Sequence, residues 1–232
     1  MTTDTVSAIV PVYNGRRFLA EAVASMLRQS RPPDELVVVD DGSTDGSGDL
    51  VRAWPEVRVV RQAHAGQGAA LNRGISLTTG AYVTFLDADD RWAPEKLERQ
   101  LAAFARQPEL DLVYGHARQF FDGALGTRAL ARDARFAERE VLPARLPSAV
   151  MIRRAALERV GPFSETQPLG GVIEWFTRAT DAGLRVACLP RVVYERRIHA
   201  ENQGVARARD RAEYARMLKG VLDRRRREGG AA

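Results

Sequence analysis

Cysteine is almost absent. Cys188 is the only one in 232 residues, which excludes an internal disulfide and a cysteine-rich zinc site. Long apolar runs are missing too, and no stretch approaches the ~18 residues needed to span a bilayer. The opening residues, Met1-Thr2-Thr3-Asp4-Thr5, lack a basic segment followed by an apolar one. No secretion signal is therefore expected, and the cytoplasm is the expected location. Internal repeats and low-complexity linkers are also lacking. Excess positive charge is absent from most of the chain. The net +5 belongs to residues 206–232, which hold nine Lys/Arg against four Asp/Glu, while the rest is balanced. A neutral body argues against nucleic acid as a partner.

What remains is the composition of a soluble globular protein, 45% hydrophobic and 28% charged. Short apolar runs alternate with helical patterns. Val6 to Val12 predicts a buried strand, broken by Tyr13-Asn14-Gly15, with Asn14 placed to cap a helix. That helix repeats Phe18, Leu19, Ala22, Val23, Met26 and Leu27 on one face. A second strand runs from Glu35 into Asp40-Asp41, a third covers Val57 to Val60, and a helix follows over Gly66 to Leu77. A fourth strand, Tyr82 to Leu86, runs into Asp87-Ala88-Asp89-Asp90.

This alternation predicts βαβ units, hence an α/β fold with a mostly parallel central sheet and helices on both faces. Parallel strands bring their carboxyl ends to one edge, where open sheets bind ligands. Tyr13-Asn14, Asp40-Asp41 and Asp87 to Asp90 therefore converge on one crevice. Three carboxylates within four residues repel one another, and a cation among them relieves this. A single Asp-x-Asp is more often a solvated loop opening the next helix. Acidic ends arriving from separate strands are harder to explain that way.

Beyond Pro94 the pattern predicts a helix to about Gln107, with Leu97, Leu101 and Phe104 on one face, then a strand from Asp111 to Phe121. Residues 121–145 are rich in Arg, contain Gly123 and Gly126 and show no period, which predicts a mobile loop over the site. A helix over Arg153 to Val160 stops at Gly161-Pro162, another covers Val172 to Ala182, and a strand covers Leu184 to Tyr194. The tail predicts an amphipathic helix with Tyr214, Met217, Leu218, Val221 and Leu222 on one face, ending in Arg224 to Arg227. It is suited to packing on the body or on a partner, a second copy included, or to peripheral contact with an anionic membrane.

Four ordered motifs carry a resemblance: Val10-Pro11-Val12-Tyr13-Asn14, Val38-Val39-Asp40-Asp41-Gly42-Ser43-Thr44-Asp45, Asn72-Arg73-Gly74-Ile75 and Leu86-Asp87-Ala88-Asp89-Asp90. With Val160 to Glu165 and Arg196 to Asn202, the chain resembles the family 2 glycosyltransferases of the GT-A fold. The resemblance implies one domain over residues 1–205, with a nucleotide-sugar half at about 6–110, an acceptor half at 111–205, and a separate tail at 206–232. It implies inverting transfer from a UDP-, GDP- or dTDP-sugar to an acceptor hydroxyl, with Mn²⁺ or Mg²⁺ bridging the departing diphosphate.

By the same resemblance Asp89 is the direct metal ligand and His199 completes the metal site. Asp87 and Ala88 lie on the donor side, Asp41 accepts hydrogen bonds from base or ribose, and Pro11 and Tyr13 line the base pocket. Asp40 reads as a turn carboxylate bonded to backbone amides. One of Arg196 and Arg197 faces the diphosphate. His64 and His116 receive no role. The family's Glu-Asp base pair is missing, since Gly170-Gly171-Val172-Ile173-Glu174-Trp175 stands there. Glu174 is then the nearest general base, ahead of Asp181 and Glu165. The alternative is an inactive homologue that binds nucleotide sugars. A dinucleotide-binding oxidoreductase is disfavoured, because Leu71 breaks the pattern begun by Gly66-Gln67-Gly68.

Overall fold

The computed structural model describes residues 4–122, 141–166, 171–199 and 202. The predicted loop segment at 123–140 and the predicted tail helix lie outside the described residues.

The apolar run forms β1 (Val6–Val12), buried along its whole length. Parallel neighbours flank it: β2 (Glu35–Asp40) on one side and β4 (Tyr82–Phe85) on the other, while β3 (Val57–Arg61) extends the sheet beyond β2. Side chains alternate across a strand, and β2 uses this to bury both faces. Leu36 and Val38 join the main core with Leu19, Val23 and Val51, while Val37 and Val39 meet Ala70 in a second cluster. Helices α1 (Arg16–Leu27), α2 (Ser47–Val51) and α3 (Gln67–Ser76) supply those partners. The approach of α3 to β1 needs a glycine, since a Cβ on Gly74 would lie 2.4 Å from Ile9 Cγ2.

The second half completes the sheet with mixed directions. After β5 (Arg91–Trp92) and α4 (Lys96–Arg106) come β6 (Leu112–Phe121), β7 (Val141–Pro143), β8 (Met151–Arg153), α5 (Arg154–Val160), α6 (Gly171–Asp181) and β9 (Val186–Ile198). The strand order is β3-β2-β1-β4-β8-β6-β9-β5, with β7 added beside β6. The long β9 runs parallel to β6 and ends one residue before His199. It thereby carries a late segment to the edge where β4 releases its acids.

Three local readings are corrected. Asn14 does not cap α1. It takes the left-handed conformation (φ 51°) and its Oδ1 accepts the Thr44 N–H at 2.8 Å. The first N–H groups of α1 are met from a distance instead: Gly15 N–H by Ser47 Oγ and Arg16 N–H by Asp45 Oδ2, each at 3.0 Å. Strand β5 stands where no element was expected, because Arg91 and Trp92 pair antiparallel with Glu195 and Tyr194. Val141–Pro143, read as loop, is a short strand on β6.

On α4 the apolar face is broken by two buried polar residues, Lys96 and Gln100. Lys96 Nζ donates to Thr84 Oγ1 (2.7 Å) and Gln100 Oε1 (2.8 Å), and burial pushes its pKa well down. Gln100 Nε2 donates to the carbonyls of Val113 and Ala149. Together they hold the 147–150 segment against β4 and β6, and that segment reaches the site.

Candidate active site

The acids after β4 are held in a tight turn. Asp90 N–H donates to the Asp87 carbonyl at 3.1 Å. Ser148, fully buried, binds the turn at both ends: its Oγ accepts the Asp87 N–H (3.1 Å) and donates to Asp90 Oδ2 (3.2 Å). From β9 the Arg197 N–H donates to Asp90 Oδ1 and Arg197 Nε to the Asp89 carbonyl, each at 2.9 Å. Asp90 is thus buried and committed to protein donors. Asp87 and Asp89 stay half-exposed. Asp87 Oδ1 accepts Gln67 Nε2 at 2.9 Å. Burial, then the Asp89 charge, pushes the Asp87 carboxyl up to about 7. Burial and the same two neighbours raise Asp90 well above the usual range.

Asp89 and His199, 110 residues apart, meet here. His199 Nε2 lies 3.0 Å from Asp89 Oδ2, and Asn202 Nδ2 donates to the same oxygen at 2.9 Å. Asn202 Oδ1 also accepts the His199 N–H at 2.6 Å, so one asparagine orients both groups. The His199 ring packs on Phe18, centroids 4.7 Å apart, and its buried Nδ1 has no hydrogen-bond partner among the described residues. Such an orphan is costly and calls for explanation.

A carboxylate oxygen and an imidazole nitrogen at this separation fit a Mn²⁺ or Mg²⁺ ion. These ions take few protein ligands and complete their shell with water and phosphate oxygens. Among the described residues no three His, Cys, Asp or Glu side chains form a closed metal cage.

The two arginines divide. The Arg197 guanidinium is buried, bonded to Glu21 and to Asp122 (3.1 Å), and stacked over Phe18 and Phe120. It braces the turn. Arg196 is half-buried, and its charge opposes the upward push on Asp87 and Asp90. Of the pair, Arg196 is the one placed to meet an anion there.

The opposite side of the crevice is built from the ends of β1 and β2. Pro11 is buried within the sheet opposite Val39, whereas Tyr13 is 51% exposed. Asp40 Oδ1 accepts the Ser43 N–H at 2.8 Å, as a turn carboxylate should. Asp41 is buried and binds the 62–66 loop: Oδ1 accepts Gln62 Nε2 (2.8 Å) and the Ala65 N–H (2.9 Å), and Oδ2 accepts the Gly66 N–H (2.8 Å). His64 Nδ1 is hydrogen-bonded to the Asp41 main-chain carbonyl at 3.1 Å and lies 2.9 Å from Oδ2, and its ring stacks on Tyr13. The loop can come this close because Gly42 has φ 80°, and a Cβ there would meet His64 N at 2.9 Å. His64 thus sits among the candidate residues, although nothing in its sequence context pointed there.

Glu174 lies in the first turn of α6, buried, with Oε1 accepting Arg178 Nε at 2.9 Å. Arg178 also donates to the carbonyls of Val160 and Pro162. Trp175 beside it is core, its Nε1 bonded to the Gly161 carbonyl at 2.8 Å. Glu165 Oε1 accepts Asn72 Nδ2 at 2.8 Å, and Asp181 is exposed at the end of α6.

Known proteins resemble this chain in sequence and in fold. The chain is 39% identical over 123 residues to an uncharacterised glycosyltransferase of Nostoc, covering 51% of this chain and 38% of that protein. It is 40% identical over 101 residues to the putative teichuronic acid biosynthesis glycosyltransferase TuaG of Bacillus subtilis, covering 41% and 40%. The chain thus spans about two fifths of the length of these relatives.

Among solved structures, S. aureus TarS 1-349 in complex with UDP-GlcNAc superposes with TM-score 0.68 at 22% identity, covering 87% of this chain and 60% of that one. The mannosyltransferase PcManGT of Pyrobaculum calidifontis, in complex with GDP-Man and Mn²⁺, gives 0.68 at 24%, covering 94% and 64%. At these identities the likeness shows the fold, a GT-A-type α/β domain. The profile of Glycosyl transferase family 2 matches residues 7–161, and the chain belongs to that family.

Proposed function

We propose that this protein is a metal-dependent inverting glycosyltransferase that moves a sugar from a nucleoside diphosphate sugar to an acceptor hydroxyl. The observation that carries the reading is the meeting of Asp89 Oδ2 and His199 Nε2 at 3.0 Å, on the sheet edge that also holds Asp87 and Asp41. Asp89 and His199 would hold Mn²⁺ or Mg²⁺, and the bound ion would neutralise charge on the leaving diphosphate. Ser148, Arg197 and Asn202 keep the two ligands in place. Arg196 offers a second positive charge to the phosphates. Tyr13 and the Asp41 loop receive the nucleoside. Glu174 is the base that takes the acceptor proton. UDP-, GDP- and dTDP-sugars are the candidate donors, and the cytoplasm is the candidate location. Among the described residues no helix is long and apolar enough to cross a membrane.

A second reading, donor binding without transfer, is favoured by one observation: Glu174 Oε1 is already engaged by Arg178. Calorimetric titration of UDP and GDP, with Mn²⁺ and then with chelator, tests the donor site common to both readings. Binding should require the metal and vanish in Asp89→Ala. Equal affinity in chelator would refute the metal assignment.

A further inference from the structure

We propose that Lys96 is a positioning residue for the acidic turn: through Thr84 and Gln100 it places Ser148, and through Ser148 the Asp87–Asp90 carboxylates that would meet the divalent ion. This rests on the metal reading above. The ladder between β4 and β8 ends at the pair Thr84 and Met151. Side chains take over from there. Thr84 Oγ1 donates to the Val150 carbonyl at 2.6 Å, and Lys96 Nζ donates to the same carbonyl at 3.3 Å. Gln100 Nε2 donates to the Ala149 carbonyl at 2.8 Å. The next residue back is Ser148, whose hydroxyl binds both ends of the turn.

Lys96 governs the other two side chains. A protonated lysine only donates. Its Nζ donates to Thr84 Oγ1 at 2.7 Å, so the hydrogen of that hydroxyl is turned to Val150. It also donates to Gln100 Oε1 at 2.8 Å, so the Gln100 amide aims its N–H groups at the carbonyls of Val113 (3.0 Å) and Ala149. With no donor at position 96, the hydroxyl and the amide are free to turn. The carbonyls beside Ser148 then lose their fixed partners.

Fold stability alone does not call for an amine here. Lys96 is fully buried, and its three acceptors are all neutral. A buried amine without a counter-charge is costly, and a methionine would fill much the same space without it. What the amine adds is direction. Its Nζ also lies 4.4 Å from the Trp92 ring centroid, and Trp92 Nε1 donates to the Phe85 carbonyl at 3.2 Å. Lys96 therefore bears on the strand that leads into the turn as well as on the segment beneath it.

Lys96→Met tests this with two readouts. Amide hydrogen exchange at Asp87 reports its bond to Ser148 without any metal. In Lys96→Met that amide should exchange about tenfold faster relative to the amides of β1, as it should in Ser148→Ala. Calorimetric titration of Mn²⁺ reports the ligands. Affinity should fall about tenfold, and the double variant with Ser148→Ala should bind no more weakly than Ser148→Ala alone, since both act through one hydroxyl. A lysine that served only the core would shift the urea midpoint and leave Asp87 exchange and Mn²⁺ affinity at wild-type values. That result overturns the proposal, and so do additive losses in the double variant. If Lys96→Met does not fold, Thr84→Val, similar in shape, removes the hydroxyl between Lys96 and Val150 and should give the same two changes. Wild type that binds no Mn²⁺ would refute the metal reading instead, and Asp87 exchange then decides the positioning claim by itself.

Discussion

Raising the pH of metal-free protein should destabilise it through Asp87. Its carboxyl is pushed up to about 7 from an ordinary 3.8, by burial first and by Asp89 second. The native state therefore holds this proton over a range where the unfolded chain has lost it. Stability falls as pH rises through that range, because the native state binds more protons there. The gap of about three pH units caps the loss at ~4 kcal/mol. The residue keeps some contact with water, which trims that ceiling, so ~2 kcal/mol is the working figure. Glu21, Glu35 and Asp45 do not interfere. Burial raises each, but hydrogen bonds and, for Glu21, arginine charges outweigh it, so the net shift of all three is downward and they stay ionised over the span tested.

Lys96 does interfere with the opposite sign. Its depressed pKa makes the unfolded chain the better proton binder, so its contribution grows as pH rises. The measurement must therefore be a difference. Urea unfolding of wild type and Asp87→Asn, in chelator at about pH 5 and about pH 8, cancels Lys96 and reads Asp87 together with its coupling to Asp90. Wild type should lose ~2 kcal/mol relative to the variant across that span, and saturating Mn²⁺ should remove the loss. Parallel pH profiles for the two proteins would refute the reasoning.

Further outcomes follow from single contacts. Gly74→Ala should cost ~1–3 kcal/mol in urea unfolding, because its methyl would lie 2.4 Å from Ile9 Cγ2. Ser148→Ala should cost ~1–3 kcal/mol and weaken Mn²⁺ binding in the same titration, because Asp90 and the Asp87 N–H lose their shared hydroxyl. Glu174→Gln keeps an acceptor for Arg178. If Glu174 is the base, turnover of a donor that binds should fall about 10²–10⁴-fold with donor affinity unchanged. Equal turnover removes that role.

The first half of the fold was legible because local chemistry and tertiary placement agree there. β-branched runs at a βαβ spacing bury both faces in a parallel sheet, and β1, β2 and β4 do so, with β3 more exposed at the edge. The strand ends Tyr13, Asp41 and Asp87 to Asp90 then follow from direction alone. Strand β5 was illegible, since two residues carry no period, and only the edge of β9 makes Arg91 and Trp92 a strand. The burial of Lys96 and Gln100 was equally illegible, because a charged residue on a helix is normally solvated. Only the carbonyls and hydroxyl facing them in the folded chain show otherwise.

The chain order of apolar runs, turns and acids determined which edge of the sheet is polar, while a link between Asp89 and His199 was implied only by the family resemblance and their contact came from the folded chain. Partnership was decided by tertiary structure. Ser148 under the turn, Asn202 between the two metal-ligand candidates, Arg178 on Glu174 and His64 on Asp41 are matters of a few ångströms between distant segments. A hydrogen bond needs its donor and acceptor within about 3 Å, and no spacing along a sequence encodes that distance until the sheet has closed.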